Sequence, residues 1–212
     1  MTLMIIQLQL DDLDAIMELE RLSFDAAIQA NRHLYRKRFE LRHTMLAARV
    51  AGEQSLRGII SFSYGRFDPA HPAAIPDNFA AWSQQPVPPS YDSVFIYNLG
   101  VVPGERGRTC ARQLVATALQ RARQDGCARA LAECPIPSYA GNGHVRAAPA
   151  LRAALDAYAD GGPTPPDSLL FRDPHLYFYR KLHNCHVAAI MPGFLPEDVA
   201  SGGYRAMLWT TL

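Results

Sequence analysis

Residues 99–114, LGVVPGERGRTCARQL, hold the residue types most suited to chemistry in this chain. An apolar run stops at Pro103. Gly104, Arg106, Gly107 and Arg108 follow, and an alanine-bearing helical pattern opens at Thr109, with Arg112 in its first turn. A strand that feeds a helix through such a loop can grip an anion. The first amides of a helix have no intrahelical acceptor, and the positive end of the helix dipole lies there. The stretch is not a Walker A loop: Val102 stands where its first glycine belongs and Arg108 where its lysine belongs. It is not Gly-x-Gly-x-x-Gly either. A solvated strand–helix turn would carry the same arginines, so a phosphate cradle and a plain turn both stay open on this pattern.

Few other residues offer chemistry. Tyr97-Asn98 closes the long apolar strand without a carboxylate. Glu133, in the strand that follows the helix, is the one acid that falls near enough to act as a general base; an outward strand charge is its alternative. Asp92 suits a cap at a strand start, and water relayed to bulk solvent could also take a proton. Cys134 reads as a small buried core residue, because no histidine accompanies it. The four cysteines, Cys110, Cys127, Cys134 and Cys185, form no Cys-x-x-Cys pair and no His/Cys ligand spacing. No metal site is expected, and reduced thiols are.

The elements that must position these residues alternate along the chain. A strand is predicted over 4–9 and an amphipathic helix over 11–24, with Leu13, Ile16, Met17, Leu19 and Leu22 on one side and an acidic first turn. A second helical stretch occupies 25–41. Two β-like runs, 44–50 and 56–64, are joined by the hairpin signal Ala51-Gly52-Glu53-Gln54. Residues 67–92 carry six prolines without a clear period and read as a long surface loop. The strongest strand is 93–102, with Gly100 marking a bulge or a close approach. A helix over 109–124 stops at Gly126, and a strand covers 128–134. Residues 135–173 form a second insertion with a helical piece near 147–158. Pro174 opens a short helix to Leu182, and strands near 187–190 and 204–210 close the chain.

Composition narrows the class. Hydrophobic residues make up 49% of the 212 and charged residues 19%, which fits a folded domain and not a disordered chain. The net charge of +1 has its acids and bases interspersed, so neither a nucleic acid nor an acidic or basic partner is implied. The opening MTLMIIQLQL is too short to span a bilayer and is followed at once by Asp11, Asp12 and Asp14. It reads as a strand, and the chain as a cytoplasmic one that meets no membrane. A single domain over 1–212 is expected, with insertions near 67–92 and 135–173.

Arg106-Gly107-Arg108-Thr109-Cys110-Ala111 resembles the acetyl-CoA motif [QR]xxGx[GA] of the GCN5-related N-acetyltransferases. Arg106 and Ala111 match its ends, and Thr109 stands at its central glycine. Asp173-Pro174, with Phe178-Tyr179 further on, looks like the family's NPxxxFYxxLGF helix, with His183-Asn184 in place of Gly-Phe. Leu195-Pro196-Glu197-Asp198 and Ser201-Gly202-Gly203-Tyr204 are similar to a bacterial subgroup with a long insertion before that helix.

The resemblance implies an α/β fold with a mixed, largely antiparallel sheet flanked by helices and splayed between its two central strands. It implies an N-acetyltransferase that moves an acetyl or short acyl group from acetyl-CoA to an amine by direct attack in a ternary complex. Leu99, Gly100, Val101, Arg106, Gly107, Arg108, Thr109, Cys110 and Ala111 would hold the cofactor. The Val101 N–H would stabilise the oxyanion, Tyr179 would protonate the thiolate, and Tyr177 would pack. Glu133 would be the base. The partners would be a CoA thioester and an amine, in a monomer or homodimer. A catalytically inactive acyl-CoA-binding, sensor or interaction domain of the same fold is the alternative.

Overall fold

A computed structural model describes residues 2–68, 71, 75–104, 109–141 and 145–212. In chain order the strands are β1 (Leu3–Gln7), β2 (Thr44–Val50), β3 (Leu56–Gly65), β4 (Ser93–Val101), β5 (Arg129–Pro135), β6 (His186–Met191) and β7 (Arg205–Thr211). The helices are α1 (Leu13–Ser23), α2 (Arg32–Glu40), α3 (Phe79–Ser83), α4 (Cys110–Gln124), α5 (Pro149–Ala159), α6 (Asp167–Leu170) and α7 (Pro174–His183). The strands form a mixed, largely antiparallel sheet in the order β1-β2-β3-β4-β5-β7-β6, flanked by helices. The chain divides into two compact units. One comprises Met1–Phe67, Ser83–Ala130 and Thr211–Leu212; the other comprises Asp68–Trp82 and Leu131–Thr210.

In the first unit β1, β2, β3 and β4 pair antiparallel in succession. The β2–β3 turn uses Gly52 at φ +86°, a left-handed conformation that favours glycine. Helix α1 buries Leu13, Ile16 and Leu19 against Met45, Ala47 and Ile59 of the sheet. Helix α4 buries Cys110, Ala111, Leu114, Val115, Ala118, Leu119 and Ala122, the stripe that its sequence period predicts, and Gly126 ends it at φ +85°. Gly58 of β3 gives α4 its seat: a Cβ there would lie 2.8 Å from the Cys110 sulfur. Gly58 pairs with Val101, so Val101 faces α4 and Gly100 faces the opposite side. There a Cβ on Gly100 would lie 2.6 Å from the Phe24 ring at the end of α1. The close approach at Gly100 is thus made by a side chain.

The bulge lies elsewhere on β4. Ser61 pairs with Asn98, but Phe62 pairs with Ile96, so Tyr97 is the extra residue. An extra residue breaks strict alternation, and Tyr97 and Asn98 both turn toward α1 and α2. The start of β5 is stapled to Asp92. Ala128 N–H (2.8 Å) and Arg129 N–H (3.3 Å) donate to the Asp92 carbonyl, and its carboxylate accepts from Ser93 and Arg129 side chains and the Phe67 amide. Burial pushes the Asp92 carboxyl up, but these donors outweigh it and hold the group below the ordinary range.

In the second unit β6 and β7 pair antiparallel, from His186↔Trp209 to Met191↔Arg205. Helix α5 buries Leu151 and Leu155, and α7 buries Leu176 and Tyr179. The stretch 67–92 is more than the surface loop its prolines suggest. It contains α3, where Trp82 is buried with its ring 5.9 Å from that of Phe194, and Phe79 N–H donates to the Phe194 carbonyl (3.0 Å). Three aromatic residues outweigh the turn signal there. Among the described residues no helix is long and apolar enough to cross a membrane, and no group of three or more His, Cys, Asp or Glu could hold a metal ion.

Candidate active site

Strand β4 is rich in β-branched and aromatic residues, and its edges carry different backbone groups. Val102 N–H donates to the Arg57 carbonyl at 3.1 Å, just past the end of the β3–β4 ladder. Backbone polar groups alternate in direction along a strand. Gly100 and Val102 therefore address β3, while the N–H groups of Leu99 and Val101 point to the other edge of β4. That side is the one β5 takes in the sheet order, and an extended ligand rich in amides can pair with it wherever β5 does not.

Helix α4 begins a few residues beyond. Thr109 is its N-cap, at φ −104° and ψ −44°, and the Thr109 hydroxyl takes no capping bond. The first amide bond of the helix runs from Gln113 N–H to the Thr109 carbonyl (3.0 Å). The amides of Cys110, Ala111 and Arg112 precede it and have no intrahelical acceptor. Cys110 is fully buried and Ala111 nearly so, which fixes the helix start against the sheet. Arg106, Gly107 and Arg108 lie outside the described residues.

On the α1–α2 side of β4 lies a polar network that the sequence pattern does not announce. Glu20 is buried at 2% exposure. One of its carboxylate oxygens accepts Ala30 N–H (2.7 Å) and the other accepts the Tyr35 hydroxyl (2.7 Å). Asn98 Nδ2 donates to the Tyr35 oxygen (3.0 Å). The Arg38 guanidinium, buried at 1%, lies 5.0 Å from the ring centres of both Tyr35 and Tyr97. His43 joins the Tyr97 hydroxyl (2.9 Å) at Nδ1 and the Gln85 carbonyl (2.7 Å) at Nε2. A carbonyl only accepts, so Nε2 carries the proton and neutral His43 accepts from Tyr97. Burial raises the Glu20 carboxyl from its ordinary value, against the pull of its donors and Arg38. Burial holds His43 below its ordinary value and lifts the Tyr97 phenol to about 12. The legible signal was the apolar stripe of α1: Glu20 falls in register with Leu13 and Ile16, where an acid has to be partnered.

In the second unit α7 presents Tyr179 inward and Tyr177 outward. Tyr179 is 7% exposed and Tyr177 51%. Tyr177 lies at the surface beside Lys181 (5.8 Å from its ring centre), not in the packing role that the FY pattern implies for it. Burial, with Cys134, Glu133 and Cys185 nearby, pushes the Tyr179 phenol well above its usual value. It stays protonated at neutral pH. Asp173 caps α7, accepting His175 N–H (2.8 Å) and Leu176 N–H (3.3 Å), and its second oxygen accepts Ser138 N–H (2.9 Å).

Glu133 is neither an outward strand charge nor an unpartnered base. Its side chain is 7% exposed and paired with Arg205 Nε, while Arg205 Nη1 pairs with Asp198 at 2.6 Å. Burial raises the Glu133 carboxyl and the Arg205 guanidinium opposes it. Cys134 is buried, as a core cysteine should be, and burial pushes its thiol far up.

The family model of the acetyltransferase (GNAT) family matches residues 13–140. No curated protein matches the chain. Among solved structures, the GphF GNAT-like decarboxylase in complex with isobutyryl-CoA is 22% identical, with a TM-score of 0.74 over 98% of each chain. The loading GNATL domain of CurA from Lyngbya majuscula is 15% identical, with a TM-score of 0.72 over 100% of this chain and 98% of that one. The ribosomal-protein-S18-alanine N-acetyltransferase from Escherichia coli is 13% identical, with a TM-score of 0.57 over 99% and 94%. At these identities the likeness is one of fold.

Proposed function

From the premise that this chain belongs to the GNAT acetyltransferase family, we propose that it is an N-acyltransferase, moving an acetyl or other short acyl group from a CoA thioester to an amine. The observation that carries the reading is the backbone of β4 and α4. The amides of Leu99 and Val101, on the side of β4 turned away from β3, stand a few residues before the first-turn amides of α4, those of Cys110 and Ala111. That is the order in which an amide-rich arm and a pyrophosphate occur in CoA.

Arg106, Gly107, Arg108, Thr109, Cys110 and Ala111 hold the pyrophosphate, and Leu99 and Val101, with Gly100 between them, address the pantetheine arm. The amine nitrogen attacks the thioester carbon, a C–N bond forms, and the carbonyl oxygen takes the electron pair with the Val101 N–H as donor. When the carbonyl re-forms, the C–S bond breaks and the thiolate takes the Tyr179 hydroxyl proton. The surplus proton of the amine passes to water, and a proton from water restores the Tyr179 hydroxyl, so the enzyme ends as it began. Glu133, the base the sequence suggested, is already committed to Arg205. The protein is a cytoplasmic enzyme in this reading.

A second reading rests on the higher TM-score with GphF, a GNAT-like decarboxylase. It makes the chain an enzyme that removes carbon dioxide from a carboxylated acyl-CoA. One experiment separates the two. The protein is incubated with acetyl-CoA and a panel of amines, and separately with malonyl-CoA, and the products are identified by mass. N-acetylated amine supports the transferase; acetyl-CoA formed from malonyl-CoA supports the decarboxylase. Calorimetry with CoA tests the cradle: Arg106→Glu should weaken binding strongly, whereas Thr109→Gly should preserve or improve it, because the Thr109 hydroxyl makes no cap bond.

A further inference from the structure

The hydrogen bonds at the β4 bulge have a direction. Both Glu20 oxygens accept, one from Ala30 N–H and one from the Tyr35 hydroxyl. Tyr35 has spent its only proton on Glu20, so its oxygen has to accept from Asn98. The Asn98 amide is thereby fixed with Nδ2 toward Tyr35 and Oδ1 facing the other way. Oδ1 is buried and has no hydrogen-bond partner, and neither has the Ser61 hydroxyl on the paired position of β3. A buried acceptor left without a donor is costly, and a fixed amide in a rigid strand is an instrument of recognition. Asn98 also lies next to Leu99, in the segment whose edge amides address the cofactor in the reading above.

We propose that Asn98 Oδ1 accepts an N–H of the acceptor amine and orients its nitrogen for attack, with Tyr35 and Glu20 as positioning residues that keep this oxygen presented. The inference rests on the N-acyltransferase reading. It gives the enzyme a preference for acceptors that donate a hydrogen bond from nitrogen over acceptors of similar shape that lack one.

Glu20→Gln provides the sharpest test, because it keeps shape and reverses direction. The oxygen of the substituted side chain still accepts Ala30 N–H, and its NH2 donates to the Tyr35 oxygen. Tyr35 then turns its proton toward Asn98, whose amide flips and presents NH2 in place of Oδ1. The best acceptor found in the amine panel is the probe. We expect its KM to rise about tenfold to a hundredfold in Glu20→Gln and in Asn98→Leu, the weight of a designed hydrogen bond left unmade. The affinity for CoA, measured by calorimetry, should stay within about twofold on that same reasoning, since no CoA contact is altered.

An amine KM near the parental value in a CoA-binding Glu20→Gln variant overturns the proposal. A parallel loss of CoA affinity and amine KM overturns it too, because the network would then merely hold the strand. If Asn98→Leu does not fold, Tyr35→Phe replaces it: losing the hydroxyl frees the amide to rotate, and the same selective rise in amine KM is expected. A parental protein that binds CoA but acylates no amine in the panel instead sinks the transferase reading, and the inference falls with it.

Discussion

Asp173 and Ser138 are joined by a 2.9 Å hydrogen bond, from the Ser138 amide to the carboxylate that also caps α7. One side chain thus fixes both the helix that carries Tyr179 and the segment that follows β5. Asp173→Ala should cost about 1–2 kcal/mol for the lost cap, and more for the orphaned Ser138 amide. Thermal or urea unfolding measures the loss. Asp173→Asn should recover part of it, because one oxygen remains to accept.

Tyr179 and Tyr177 separate burial from exposure on one helix. Tyr179→Phe should keep the fold and CoA affinity and slow turnover by about 10²–10⁴-fold, the usual weight of a positioned acid. Tyr177→Phe should change little, since its ring lies at the surface. Steady-state kinetics on both variants decide the matter. Equal, near-parental rates would remove Tyr179 from the mechanism.

The Glu133–Arg205–Asp198 cluster should behave as structure and not as a base. Glu133→Gln removes the charge that partners a guanidinium whose side chain is only 3% exposed. It should destabilise the protein by about 3–5 kcal/mol, as breaking a buried pair does. Turnover per folded molecule should fall only modestly, with its pH profile unshifted. A large loss of kcat at full stability would restore Glu133 to the chemistry.

His43 should make stability fall in mild acid. Burial, with Arg38 nearby, holds its pKa in the folded chain below the ordinary 6.5, against the pull of the Gln85 carbonyl. The unfolded chain therefore binds a proton first as the pH drops. Stability is full above about 6.5 and is lost as the pH falls from there toward the lower, folded value. His43→Gln should flatten that part of the curve. Melting temperatures of parent and variant between pH 7.5 and 5, at a grid of about half a unit, give the comparison.

Much of the fold was legible because the chain punctuates itself. Gly126 stops α4, Pro174 opens α7, and Ala51-Gly52 turns the first hairpin, each by local backbone chemistry. The apolar stripe of α4 is read directly from its spacing. The Trp82–Phe194 contact could not be read, because it joins residues distant in sequence within a stretch whose prolines speak of loops. The site followed the same division. The run of first-turn amides before Gln113 follows from a helix start, which is local. The Glu20–Tyr35–Asn98 chain needs two helices and a bulged strand to meet, and only a buried acid in the α1 stripe hinted at it. In the sequence Glu133 reads as a candidate base or an outward strand charge, because its partner Arg205 lies some seventy residues later.

Neither unit is a continuous piece of chain, and this matters during synthesis. Residues 211 and 212 belong with the first unit, where Leu212 N–H bonds the Ala128 carbonyl beside the Asp92 staple. The ribosome delivers them only after every residue of the second unit has been made. At roughly 5–20 residues per second, the stretch from 131 to 210 keeps the first unit waiting several seconds for its last contact. Vectorial folding can build β1 through β4 early, but it cannot seal that unit until the second has emerged.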